Sequence, residues 1–171
     1  MVDERLYYLC RVRINETTVF VVWFTDERDS FARDESDHLL TAATPEALAA
    51  VAGAMGNPLM DEEPADYDFD RIRAWCAAPE ASEIACSTFL NAWNFFDDLA
   101  GLHDGADTPY ARLSRGAASC YDRLFRGCNL PAITPPGEWF EPEWRADELT
   151  DIRNVLNAGI RLLEEELMAR N

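Results

Sequence analysis

The chain of 171 residues contains no lysine. That excludes Schiff-base chemistry on a lysine amine and the phosphate-binding lysine of a P-loop. Histidine is nearly missing too: His38 and His103 fall in different stretches. There is no H-E-x-x-H, no G-x-S-x-G and no Cys–His pairing of recognisable spacing, so the common metalloprotease and nucleophilic-hydrolase signatures are lacking. No C-x-x-C pair occurs. The five cysteines (Cys10, Cys76, Cys86, Cys120 and Cys128) are odd in number, widely spaced and set among apolar neighbours. They read as core thiols, not as disulfides or metal ligands. No apolar run approaches the ~20 residues that span a bilayer. The opening "MVDERLYYLC" begins with acids and lacks the layout of a signal peptide. The expectation is a cytoplasmic protein without a cofactor or metal.

What the chain has in excess is carboxylate. Net charge is −17. Residues 1–70 carry 16 acids against five arginines, and residues 71–171 carry 16 against ten. A field of that sign repels nucleic acid and anionic membrane, and speeds encounter with a basic partner. Apolar residues make up 48% of the chain and are spread along it, so one folded domain over 1–171 is expected. Such a charge favours a monomer, or at most a weak homo-oligomer.

The hydrophobic pattern predicts α+β. Residues 6–14 alternate near their end and read as a half-buried strand; "TTVFVVWF" is apolar on both faces and reads as a central one. "HLLTA" (38–42) completes an antiparallel meander of about three strands. Thr44 and Pro45 then start a helix. A short helix carries Phe69, Ile72, Trp75 and Cys76. A longer one, roughly 83–101 and capped by Ser82, is apolar over most of its circumference. A further helix runs from Pro109 to Gly127, and the last spans about 147–168. These four to five helices are expected as a C-terminal layer on the sheet.

Two polar features stand out. The strip Asn91, Asn94 and Asp98 lies on one side of the mostly buried helix. Buried carboxamides need partners, and the irregular connection 128–144 has backbone groups that need them too. The strip is therefore expected to pin that connection. The second feature is "DEEPADYDFD", with Asp61, Glu62, Glu63, Asp66, Asp68 and Asp70 around Tyr67 and no arginine inside it. With Asp26, Glu27, Asp29, Asp34, Glu35 and Asp37 it makes the sheet-containing half strongly acidic. Aromatic rings inside an acidic rim fit a contact with a basic protein. A competing reading places an acid–base pair in "DDLAGLHD", from Asp97, Asp98, His103 and Asp104. Adjacent aspartates on a helix point about 100° apart, which weakens it.

"LNAWNFFDDLA" (90–100) and "YDRLFRGCNLPAITPPGE" (121–138) together resemble a group of small acidic bacterial proteins. These share L-N-A-W-N, then Y-D-x-L-F-x-G-x-N-L-P-A, then T-P-x-G-E. The group is associated with immunity proteins of contact-dependent growth inhibition and related polymorphic toxin systems. The resemblance implies an inhibitor that binds a cognate basic toxin domain, commonly a nuclease, without catalysis of its own. It places Asn91, Trp93, Asn94, Tyr121, Asn129, Pro131 and Gly137 in the scaffold. The alternative is an acidic mimic of nucleic acid that occupies a DNA-binding protein. A small hydrolase using the Asp98/His103 region is the third reading.

Overall fold

The computed structural model describes residues 5–103 and 107–170. Its first unit is a hairpin of β1 (Tyr7–Ile14) and β2 (Thr17–Phe24). Alternation along β1 buries Cys10, Val12 and Ile14 and leaves Arg11 and Arg13 exposed. Asn15 and Glu16 join the strands with φ of 52° and 60°, the left-handed pair that matches hairpin twist. Two short strands, β3 (Ser30–Phe31) and β4 (Thr41–Ala42), pair with β2. Helix α1 (Pro45–Ala54) starts where Thr44 Oγ1 accepts from the Ala47 N–H at 3.2 Å.

The acidic stretch then enters the sheet. Ala65–Asp68 forms β5, parallel to β1, with Val12 opposite Tyr67 and Arg11 opposite Asp66. Its end passes straight into α2 (Phe69–Ala77), capped by Asp68, whose Oδ1 accepts from the Arg71 N–H at 3.0 Å. The remaining helices are α3 (Cys86–Ala100), α4 (Pro109–Gly116), α5 (Ala118–Gly127) and α6 (Ala146–Met168).

The fold is α+β, but its details depart from the expectation. The sheet is five-stranded and mixed, in the order β3-β2-β1-β5 with β4 also beside β2, not a three-stranded meander. A parallel strand inside a charge run escapes a search for apolar alternation, because only Tyr67 of β5 meets the core. Of "HLLTA", only Thr41 and Ala42 form a strand. The helix expected from 83 begins at Cys86, and Ser82 sits in a separate 3₁₀ turn, Ala81–Glu83. The 109–127 helix breaks after Gly116, where Ala117 has left helical geometry (φ −107°, ψ 21°). Helices also flank both sheet faces. Leu48 and Ala52 of α1 cover Phe20 and Val22 on one, while α2 to α6 build the main core on the other.

In that main core α3 lies against both the sheet and α6. Phe95 contacts Phe31, Tyr67 and Phe69 at centroid distances of 4.7 to 5.0 Å. Gly159 of α6 allows the closest helix approach: a Cβ built there would lie 2.2 Å from the Phe96 ring. The irregular connection to α6 is tied by Asn129, itself at φ 50°. Its Nδ2 donates to the carbonyls of Gly127 (3.0 Å) and Phe140 (2.9 Å), and its Oδ1 accepts from the Phe140 N–H at 2.8 Å. Glu148, buried at the start of α6, accepts from the Arg145 N–H at 2.9 Å and from Arg123 at 2.6 Å.

Gly159→Ala is expected to destabilise the fold by about 1–3 kcal/mol through overpacking against Phe96. The opposite sign, the gain usual for Gly→Ala in a helix, would show that α3 and α6 can separate freely. Urea denaturation distinguishes the two.

Candidate functional site

β2, β5 and α3 meet around an open cavity of about 440 Å³. Strand alternation puts Trp23 and Tyr67 on the α3 side of the sheet, and Phe31 of β3 stands next to Trp23. On α3, residues 91, 94, 95 and 98 share one helical face. They bring Asn91, Asn94, Phe95 and Asp98 to the cavity, joined by Asp97 and by Asp29 from the β2–β3 loop. The Trp23 indole N–H donates to Asp98 Oδ2 at 2.9 Å. Asp97 Oδ1 accepts from Tyr110 Oη at 2.7 Å and Ser114 Oγ at 3.2 Å.

A second recess of about 220 Å³ shares these two aromatic residues, lined by Tyr8, Met60, Glu62, Glu63, Trp23 and Tyr67 among others. Trp23 and Tyr67, both half-buried, thus line two recesses that each carry carboxylates. Among the described residues no cation pairs with Glu62 or Glu63, which are exposed.

Burial pushes the Asp98 carboxyl up to about 6. The Trp23 hydrogen bond opposes this, Asp29 and Asp97 add to it, and the charge of Arg28 opposes it. Asp97 is also raised, by burial first and against its bonds from Tyr110 and Ser114. Among the described residues, no group of three His, Cys, Asp or Glu side chains could hold a metal ion.

The acidic residues of 61–70 do not act as one surface. Asp66 pairs with Arg11 at 3.1 Å on the face away from Tyr67. Asp68 caps α2. Asp70 accepts from the backbone N–H groups of Asn15 (2.7 Å) and Glu16 (2.8 Å), fastening the hairpin turn, with Arg13 3.6 Å away. Asp61, Glu62 and Glu63 remain exposed. Tyr67 is packed between Phe69 and Phe95, so most of its ring belongs to the core.

The 26–37 segment is likewise divided. Asp26 pairs with Arg5 (2.7 Å) and Asp37 with Arg33 (2.8 Å). Asp34 accepts from the Ser36 and His38 N–H groups, and the latter in particular holds its carboxyl below the usual range. Glu27 and Glu35 are exposed. Of the acids in this segment, only Asp29 lines the cavity.

Two further expectations change. Asn91 and Asn94 do not hold the 128–144 connection: Asn94 Oδ1 accepts from Tyr121 Oη of α5 at 2.7 Å, and Asn91 is exposed at the cavity. The tie is Asn129. Trp93 is buried, with its indole N–H on Ser114 Oγ at 2.9 Å. The acid–base pair is not assembled either. His103 Nε2 lies 2.6 Å from Glu166 Oε1 and does not line the Asp98 cavity; Asp104 falls outside the described residues. Sequence reading missed Trp23, hidden inside an all-apolar run. The signal was its indole N–H, which needs a partner when buried. It also missed Trp139, which stands 76% exposed beyond the Asn129 tie.

No protein-family model matches the chain, and neither a curated protein nor a solved structure shows significant similarity to it.

Asp98→Asn keeps an acceptor for the Trp23 N–H and cannot ionise. Because the folded carboxyl sits at about 6 rather than 3.8, the native state holds the proton more tightly than the unfolded chain. Ionisation therefore costs stability as pH rises through that window, and the cost persists above it. The stability of Asp98→Asn relative to wild type is expected to improve between about pH 4 and pH 6 and then level off. Thermal melts across this range provide the check. A difference independent of pH would mean that Asp98 is as well solvated as a free carboxylate.

Proposed function

We propose that the protein works by stoichiometric binding, as an immunity protein that occupies a basic toxin domain, most simply a nuclease, and blocks it inside the cell. The observation that carries this reading is that the half-buried Trp23 and Tyr67 line two recesses, one edged by Glu62 and Glu63 and the other by Asp29 and Asp98. Aromatic surface within a charged rim suits a protein contact. A nuclease must be cationic to hold a phosphate backbone, so an acidic inhibitor gains both rate and selectivity.

Charge bookkeeping across the fold supports it. Arg5, Arg11, Arg13, Arg33, Arg73, Arg123 and Arg170 all lie in ion pairs within the chain. Exposed carboxylates such as Asp61, Glu62, Glu63, Glu27 and Glu35 are left over. The repulsion among them disfavours the compact state, and a cationic partner relieves it. No helix among the described residues is long and apolar enough to cross a membrane.

An immunity gene lies beside the gene of its toxin. The reading is therefore tested first by a search for such a neighbour, whose absence would overturn it, and then with the toxin domain that neighbour encodes. Titration should abolish its activity near an equimolar ratio; full protection far below that ratio, with turnover, would mean that an enzyme has been missed. Replacing Asp61, Glu62 and Glu63 with Asn, Gln and Gln should slow association and flatten its salt dependence. Dissociation should change little, because rim charges act mainly on encounter. Stopped-flow binding at several salt concentrations measures both. Identical association rates at low salt would move the contact away from this rim.

A further inference from the structure

We propose that the cavity between β2, β5 and α3 is a receptor for a guanidinium group, the head of an arginine side chain. That the arginine belongs to the toxin rests on the reading above; the chemistry of the cavity does not.

At about 440 Å³ the cavity lies within the usual range of small-ligand sites, about 300–1,000 Å³. Its walls supply two things. The half-buried Trp23 and Tyr67, backed by the buried Phe31 and Phe95, provide aromatic surface, on which a planar, weakly hydrated guanidinium stacks better than an ammonium. The acceptors are separated instead of convergent. Asp98 spends Oδ2 on Trp23, and among the described residues no donor reaches its Oδ1. Asp29 enters from the β2–β3 loop and Asn91 from α3.

That separation decides the class of ligand. A metal ion needs ligands converging on one point, and no such group exists among the described residues. A guanidinium spreads five N–H donors in a plane and can reach acceptors on different elements. Anions are disfavoured by Asp29, Asp97 and Asp98 together. Among the described residues Arg28, exposed on the β2–β3 loop, is the cation whose charge reaches Asp98. It would compete with an incoming arginine.

The probe is N-acetyl-arginine amide, titrated into the intact ¹⁵N-labelled protein at constant ionic strength. Binding is followed through the Trp23 indole N–H resonance, identified by its loss in Trp23→Phe. A saturable shift is expected, stronger than with N-acetyl-lysine amide. Asp98→Asn should weaken binding about tenfold or more, the usual loss for a charge-assisted hydrogen bond. Glu165→Gln, which removes the same charge from exposed α6 surface, should leave it unchanged. Arg28→Gln should strengthen binding.

Four results overturn the assignment: no saturable shift, equal response to the lysine probe, an unaltered response in Asp98→Asn, or binding seen only after Arg28→Gln, which would make Arg28 the natural occupant. The two proposals fail separately. Arginine binding without any toxin bound refutes only the immunity reading. Toxin binding that Asp98→Asn leaves intact, together with a silent probe, refutes only the cavity assignment.

Discussion

The need to answer the polar groups that α3 presents to its neighbours organises the molecule. The helix is apolar around most of its circumference, and Phe89, Leu90, Trp93, Phe95, Phe96 and Leu99 are all buried. Asn94 and Asp98 are half-buried beside them, where an unmet group costs about 1–3 kcal/mol, while Asn91 and Asp97 stay exposed. Each partner comes from a different element: Tyr121 of α5 for Asn94, Tyr110 and Ser114 of α4 for Asp97, and Trp23 of β2 for Asp98. Among the described residues no buried side-chain nitrogen or oxygen is left without a partner. Satisfying α3 thus sets how α4 and α5 dock, and it orients Trp23. The cavity is where that satisfaction is incomplete, with Asn91 and one oxygen of Asp98 facing open space.

The acidic stretch shows how one run of charge divides between architecture and surplus. Asp66, Asp68 and Asp70 neutralise a strand, cap a helix and clamp a turn. They also line the outer edge of the sheet. Charged side chains and a proline, here Pro64, are common defences of an unpaired edge. Asp61, Glu62 and Glu63 have none of these duties, and charge that serves no purpose inside the fold is available for another molecule.

Much of this was legible in the residues. Thr44–Pro45 marks the start of α1, and the all-apolar run of β2 marks a central strand, because in both the local signal and the tertiary environment agree. β5 was hidden because its residues are mostly charged: Arg11, read only as the polar face of β1, pairs with Asp66, while Asp70, just past the strand, is held by the Asn15 and Glu16 N–H groups with Arg13 3.6 Å away. Of the Asn91–Asn94 strip only Asn94 has a partner among the described residues, Tyr121 of α5, and Asn91 stays exposed; helical spacing does not say whether an adjacent helix or a loop provides such a partner. Gly116 hides the break between α4 and α5, since glycine inside a helical period is as compatible with tolerance as with interruption.

The parallel pairing of β5 with β1 also has a temporal side. Synthesis proceeds from the N-terminus, so the β1–β2 hairpin exists before residues 65–68 have been made. Until then the outer edge of β1 has no strand in the chain to pair with, and its hairpin turn lacks Asp70. Contacts of such sequence separation form late because loop closure must precede them. During that interval Arg11 and Arg13 are the guard on the growing sheet. Like charges repel a second nascent copy in parallel register, and the acidic segment that later fills the place is the one their sign selects.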